Sequence, residues 1–599
     1  MEFTDQDGFT EHYLRELEAL RKDGRDFAER FPKIAGRLKL EDTGSADPHV
    51  ERLMESFAFL TARVQRKLDD DYGELSDAML EVLYPHLLRP IPSMAVVELS
   101  PDLEQNLPAA GLRVPKGTRF LSKPIRGEPL VFRSTAPATV WPIQVKHASI
   151  ESPDSALLDR VPAARAVLRL GLSCLGSYEF SALRLQSLRI FLRGDERVVA
   201  ELYEFLGAHS GTLEIEDANG RRVASASKIQ PLGLAESEAS LPYPARSAPG
   251  YRLLQEYFAF PQKFHFIGID GLRGLAGSEA TLHIPLMRDP AINTAQVSPE
   301  NFSLSAVPLV NLFPMTADPI TTTADATEYD VVPDTQRVND LEVYSVESVT
   351  SVPAGGGERT AVPPFFSVSH DSRAEPTAHW HMRRRASRKK GDDGTEVALA
   401  FVDLDRSSAA IPDRTLHVEI FATNRDLPAQ STQWGKADDF RLEGVPGVSS
   451  VRCIHRPTPT QRPKLSGAEN WRLVSQLSLS HLSFANVESL RELLRVYDIA
   501  GSPSTRQQIE GVRDVRSEPT TRWVRSRFGA GFCRGMRTRL VVDRERFLGA
   551  SPFLFAGVLE RFFGMSCAIN SFSELVLETP QDHGEVYRWN PRAGEQVLL

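Results

Sequence analysis

The decisive stretch is Tyr84-Pro-His-Leu-Leu-Arg-Pro-Ile-Pro-Ser-Met94 followed by Ala95-Val-Val-Glu-Leu99, because the periodicity of the chain changes within it. Pro85, Pro90 and Pro92 forbid helix continuation, since proline removes a backbone donor and clashes with the preceding turn. Before them, residues 1–92 carry helical spacing: Leu14, Leu17 and Leu20, then Phe27, Phe31, Ile34 and Leu38, punctuated by Pro32. Asp47-Pro48 is a start signal, an Asp cap with Pro at the first helical position. The helix that follows has the stripe Val50, Leu53, Phe57, Leu60, Val64 and Leu68, with Phe59 on the opposite side. A helix apolar on two faces must be covered on both, by its own chain or by a partner. The spacing predicts a further helix with Leu75, Met79, Val82 and Leu83, ending near Tyr84.

After the prolines the pattern is short β runs: Ala95–Leu99, Val131–Arg133, Ala166–Leu170 and Leu188–Leu192, with one helix over 198–206. Irregular strand spacing and scarce helices favour antiparallel pairing, so the fold class is α+β: a helical N-terminal segment followed by several mixed, mainly antiparallel domains. The chain has 599 residues, enough for roughly four compact units. The predicted divisions are 1–92, a bundle-forming helical segment; 93–245, α+β; 246–350, a central domain opening with Gly250-Tyr-Arg-Leu-Leu-Gln-Glu-Tyr-Phe258; 351–396, an exposed loop; and 397–599, a C-terminal α+β region with helices at 490–496 and 552–563. The loop reading rests on Gly355–Gly357, Arg383–Arg385 and Arg388–Lys390, where proteolysis is expected to begin.

With 70 basic and 79 acidic side chains the formal charge is -9, which gives no general attraction to nucleic acid or anionic lipid. Four cysteines, at 174, 453, 533 and 567, lack metal or disulfide-framework spacing and suit a reducing compartment. The N-terminus lacks the features of a secretory signal, and the longest apolar runs, near seven residues, are too short to span a bilayer.

Catalytic motifs are absent. The only Gly-Lys pair, Gly435-Lys436, is followed by Ala437, so a P-loop hydroxyl is missing, and there is no G-x-S-x-G or H-E-x-x-H. His379-Trp-His381, with His370 nearby, lacks the four ligands of a closed zinc site; Trp380 reads as an exposed aromatic in a polar loop, and Arg383–Lys390 as a solvated or acidic-partner contact. Glu256 sits among Tyr251, Tyr257 and Phe258, but Arg252 one turn earlier supplies a structural partner. Asn311 reads as a buried amide that fixes backbone groups. No catalytic, cofactor or metal residue is assigned.

Several runs together resemble the TssF (ImpG/VasA) baseplate family of type VI secretion systems: Asp47–Met54 into Phe57–Val64, Tyr84–Met94, Gly250–Phe258 with Phe260-Pro261, and Pro308-Leu-Val-Asn-Leu-Phe313. Asn424-Arg-Asp-Leu-Pro428, Trp471-Arg-Leu-Val-Ser475, Pro552–Glu560 and Asn570-Ser-Phe572 complete a series that runs the length of the chain. The resemblance implies a structural, non-enzymatic wedge subunit without cofactors, in which two TssF copies join one TssG and the sheath-initiating TssE. Wedges of this kind surround the VgrG spike, with TssK linking them to the membrane complex, in the cytoplasm at the inner face of the inner membrane. It leaves as alternatives a wedge of another contractile injection particle and, more distantly, a polymer-acting hydrolase at Glu256. Phe57, Phe59, Leu60 and Val64 are the candidate partner interface.

Overall fold

The computed structural model describes residues 9–594, apart from 38–39, 42–43, 46, 219, 244–246, 248–249, 274, 324, 354, 366–377, 403–413, 464–472, 474–485, 527–528, 569 and 583. The chain divides into two compact units: the helical residues up to Leu88 belong to the first, and the larger second unit begins at Arg89.

In the first unit, helix Phe9–Arg30 packs on a 36-residue helix, Pro48–Leu83. Asp47 caps the long helix by accepting from the His49 backbone N–H at 2.9 Å. At the other end the Tyr84 N–H reaches the Leu80 carbonyl at 2.7 Å, and Pro85 opens a short 3-10 turn that stops the helix. Two helices were expected here and one continuous helix is found. Gly73, the one weak former between the two stripes, costs only about 1 kcal/mol inside so long a helix.

The second unit is built from mainly antiparallel sheets that bring distant segments together. Its six-stranded sheet has the order Phe440–Leu442, Arg119–Ile125, Glu128–Ser134, Ala306–Val310, Met94–Pro101, Val448–His455. Phe120, Phe132, Trp434 and Phe440 fill its core, with the Trp434 and Phe440 rings stacked at 5.1 Å. The boundaries drawn at 245, 350 and 396 therefore do not separate the strands, because a half-buried strand is completed by whichever neighbour covers it, irrespective of chain distance.

The stretch expected to be an exposed loop over 351–396 contains strands. Strand Glu342–Pro353 runs into it, Thr360–Val362 pairs with that strand, and His379–Ala386 pairs with Thr395–Val402. Alternate residues of His379–Ala386 pack inward: Trp380 and Met382 belong to a core cluster with Val397 and Leu399. The charges that made this segment look solvated occupy the other positions of a two-residue period.

The single helix Gly250–Ala259 is buried at all ten positions. It packs on helix Pro552–Met565, with Tyr251 5.3 Å from Phe562 and Tyr257 5.8 Å from Phe555, and Tyr251 stacks on Tyr497. Gly250 is needed for close approach, since a Cβ there would lie 2.9 Å from the Phe562 ring. Helix Pro552–Met565 in turn connects Gly529–Val542 to Phe572–Thr579, which pair in parallel, as a crossover helix permits.

Candidate partner interface

The buried face of the long helix is a third one, formed by small residues. Ala58 and Ala62 are fully buried, and Glu51 accepts from Arg21 of helix Phe9–Arg30 at 2.6 Å. Small side chains let the two helices approach closely, so the larger apolar stripe is left facing water. Leu53 is 70% exposed, Phe57 59%, Leu60 57%, and Phe59, on the far side of the stripe, 40%. At the C-terminal end Met79, Val82 and Leu83 are also exposed. Of the two ways to cover the stripe, burial by its own chain is not what the described residues provide. The side chains of Val64 and Leu68 lie outside the described residues.

The other singled-out residues are structural. Glu256 is buried and accepts from the Ser240 and Leu241 backbone N–H groups at 2.8 and 3.0 Å, and from the Lys263 ammonium. Arg252, the expected partner, stands at 4.0 Å. Burial pulls the Lys263 ammonium below its ordinary value even though Glu256 opposes the shift. This carboxylate is spent on two backbone donors and one cation. Asn311 behaves as expected: its Nδ2 donates to the Val131 carbonyl at 2.8 Å and to Asn424 Oδ1 at 2.7 Å, and its Oδ1 accepts from the Asn424 backbone N–H. Two of the family-like runs, Pro308–Phe313 and Asn424–Pro428, thus meet across the body.

Trp380, expected to be exposed, is buried, and so is His379. Among the described residues no three His, Cys, Asp or Glu side chains are grouped to hold a metal ion, and His370 lies outside them. The arginines at 383–385 are engaged within the chain. Arg384 donates to the Val343 and Tyr344 carbonyls at 2.9 and 2.7 Å, Arg383 pairs with Glu328 at 3.2 Å, and Arg385 pairs with Asp330. The four cysteines are unpaired, and burial pushes the Cys174 thiol up to about 11 and the Cys453 thiol up to about 12.

Sequence reasoning missed the ion networks that lock the body. Glu342, fully buried, accepts from Arg462 at 2.7 Å and from Thr395. Glu204 accepts from Arg288 at 2.7 Å and Arg544 at 2.8 Å. Burial alone would raise the Glu204 carboxyl, but hydrogen bonds and the charges of Arg544 and Arg288 outweigh it and hold the group at about 2. These partners are 84 and 340 residues away, beyond any local pattern.

An apolar helix face left in water marks a protein that assembles with partners. Comparison with known proteins gives the same class. The family model for Type VI secretion system, TssF, matches residues 5–596. The type VI secretion system component TssF1 of Pseudomonas aeruginosa (strain PAO1) is 35% identical over 98% of this chain and 99% of its own length. A chain of the type VI secretion system TssK-TssF-TssG baseplate subcomplex, determined by cryo-electron microscopy, superposes with a TM-score of 0.70 at 25% identity, covering 91% of this chain and all of that one. A chain of the type VI baseplate complex shares the fold, with a TM-score of 0.57 at 23% identity over 98% of this chain. The chain belongs to the TssF family, structural baseplate proteins of type VI secretion systems and not enzymes. No helix among the described residues is long and apolar enough to cross a membrane.

Proposed function

We propose that this chain is a wedge subunit of the type VI baseplate, in which two copies join one TssG and the sheath-initiating TssE around the VgrG spike and support sheath assembly and contraction. TssK attaches through TssG, and the assembly works in the cytoplasm at the inner face of the inner membrane. The observation that carries the reading is the likeness, over 91% of this chain, to a chain of the TssK-TssF-TssG subcomplex. Within it, the exposed stripe of the long helix, Leu53, Phe57 and Leu60, with Phe59 beside it and Val64 continuing it in sequence, is the surface that partner helices cover. Interleaved apolar stripes are how helices from different chains bury such faces. Co-expression with the neighbouring TssG and native mass spectrometry tests the stoichiometry. Two copies of this chain per TssG support the wedge reading, and species that never associate argue against it.

A further inference from the structure

The second unit begins at Arg89, and its first stretch of chain is interrupted after Pro463. Those two ends lie side by side. Ile91 and Gln461 form an isolated antiparallel bridge: the Ile91 N–H donates to the Gln461 carbonyl at 2.7 Å, and the Gln461 N–H to the Ile91 carbonyl at 3.1 Å. Further in, the Met94 N–H donates to Thr458 Oγ1 at 3.0 Å, and the Thr458 N–H returns to the Met94 carbonyl at 2.9 Å. Pro90 and Pro92 on one segment, and Pro459 and Pro463 on the other, fix backbone angles that would otherwise turn. Residues 89–94 and 458–463 are thus one stiff ribbon.

Both outer ends of the ribbon are held by the same short piece of strand Glu342–Pro353. Arg462 donates to fully buried Glu342 at 2.7 Å, and the Arg89 guanidinium lies over the buried Tyr344 ring, 5.5 Å from its centroid. The strand is irregular at this point. Val343 is opposite Ala422 and Ser345 opposite Phe421, which makes Tyr344 the extra residue of a β-bulge, a device that re-aims a side chain. Arg384 fixes the bulge by donating to the Val343 and Tyr344 carbonyls at 2.9 and 2.7 Å. Three arginines from separate segments therefore converge on residues 342–344. The ends of a compact unit ordinarily fray, because little is lost when they open. Here opening would leave the Glu342 charge buried without its Arg462 partner, so the boundary of the unit is a costly place to open.

We infer that the bulge at Glu342–Tyr344 is the anchor of the helical unit. It fixes both ends of the ribbon, so displacement of that unit begins at the Leu88–Arg89 junction and is delivered, through an undeformed ribbon, to the sheet of Glu342–Pro353 and Arg414–Thr423. The inference concerns a single copy of the chain and is independent of the number of copies in the wedge.

The test is hydrogen exchange followed by mass spectrometry on the full chain, read in peptides covering residues 89–94 and 458–463, with strands Ala306–Val310 and Phe572–Thr579 as internal references. Arg89→Ala loosens one segment. Arg462→Gln/Glu342→Gln loosens the other and removes both charges, so that no carboxylate is left buried alone. In the parent, both segments are expected to exchange as slowly as the references. Each variant should raise exchange in both segments at least about tenfold with the references unchanged, because the segments are bonded to each other. Fast exchange in the parent, or a rise confined to the substituted segment, overturns the inference. A variant that also speeds the references has lost the fold, and exchange of the parent against urea then decides without any substitution. The Ile91 and Gln461 amides opening together with strand Glu342–Pro353 supports the anchor; their opening at lower urea together with helix Pro48–Leu83 overturns it.

Discussion

At the scale of single residues, the body is held by charges that have no water to fall back on. Lys263 and Glu256 are both almost completely buried and serve each other. Lys263→Met leaves the Glu256 carboxylate with the Ser240 and Leu241 N–H groups and Arg252 at 4.0 Å, and removing one partner of such a buried pair costs about 3–5 kcal/mol. The double change Lys263→Met/Glu256→Gln is expected to recover a large part of that loss. Urea denaturation of the two variants measures it, and equal destabilisation by both would show that the pair is not coupled. Glu204 makes a pH-dependent contribution. Its carboxyl is held at about 2 against an ordinary 4.5, so the folded state binds the proton more weakly than the unfolded chain. The stabilisation is present above pH 4.5 and is lost as pH falls toward 2; at about 1.4 kcal/mol per unit it amounts to about 3 kcal/mol. Glu204→Gln should therefore be markedly less stable than the parent at pH 7, with a gap that narrows steadily below pH 4.5. A gap independent of pH would contradict the Arg288 and Arg544 assignment. Of these residues the sequence exposed Asn311 and the structural role of Glu256, because both lie inside apolar runs. It pointed to Arg252 as the Glu256 partner because helical spacing pairs residues four apart. The 3-10 turn that starts at Pro261 folds Lys263 back onto Glu256 instead, and helical periodicity cannot see a chain reversal.

At the scale of elements, the long helix was legible in start, stop and stripe, and its function as a face was not. A stripe of Leu53, Phe57 and Leu60 looks the same whether it lines a core or awaits a partner; only the burial of Ala58 and Ala62 opposite helix Phe9–Arg30 decides which face is inside. Leu53→Asp/Leu60→Asp is therefore expected to leave stability within about 0.5 kcal/mol of the parent, as surface changes do. The same change should abolish capture by TssG in a pull-down. Loss of folding together with loss of capture would place those side chains in a core. Strand His379–Ala386 shows the opposite error of reading. Runs of arginine and lysine suggest a solvated loop, yet Arg384 is buried with three acceptors and the residues on either side of it are paired to acids on neighbouring strands. Limited trypsin digestion mapped by mass spectrometry should leave the bonds after Arg383, Arg384 and Arg385 intact while other sites are cut. Early cleavage there would restore the loop reading.

At the scale of the whole molecule, composition correctly indicated an α+β protein with several sheets, and sequence order misled about how they divide. A change of pattern marks where one kind of element gives way to another; it does not mark where a core ends, because strands far apart in sequence complete one sheet. Strand Met94–Pro101 lies between Ala306–Val310 and Val448–His455, and the ring of Phe132 rests against Trp434 and Phe440. Residues 93–350, the two domains the pattern suggests, contain one side of that core without the other. Expressed alone, this fragment keeps Phe120 and Phe132 but loses Trp434, Phe440 and Val451, together with the two edge strands that carry the last two. Uncovered aromatic surface and unpaired strand edges both drive aggregation. The fragment is expected to be insoluble, or to lack a cooperative thermal transition, whereas the full chain melts cooperatively. Circular dichroism and calorimetry on the soluble fraction decide the matter. A soluble 93–350 fragment that melts cooperatively would mean that this half of the sheet closes its core unaided, and the arrangement of distant strands would then be a consequence of domain packing instead of its cause.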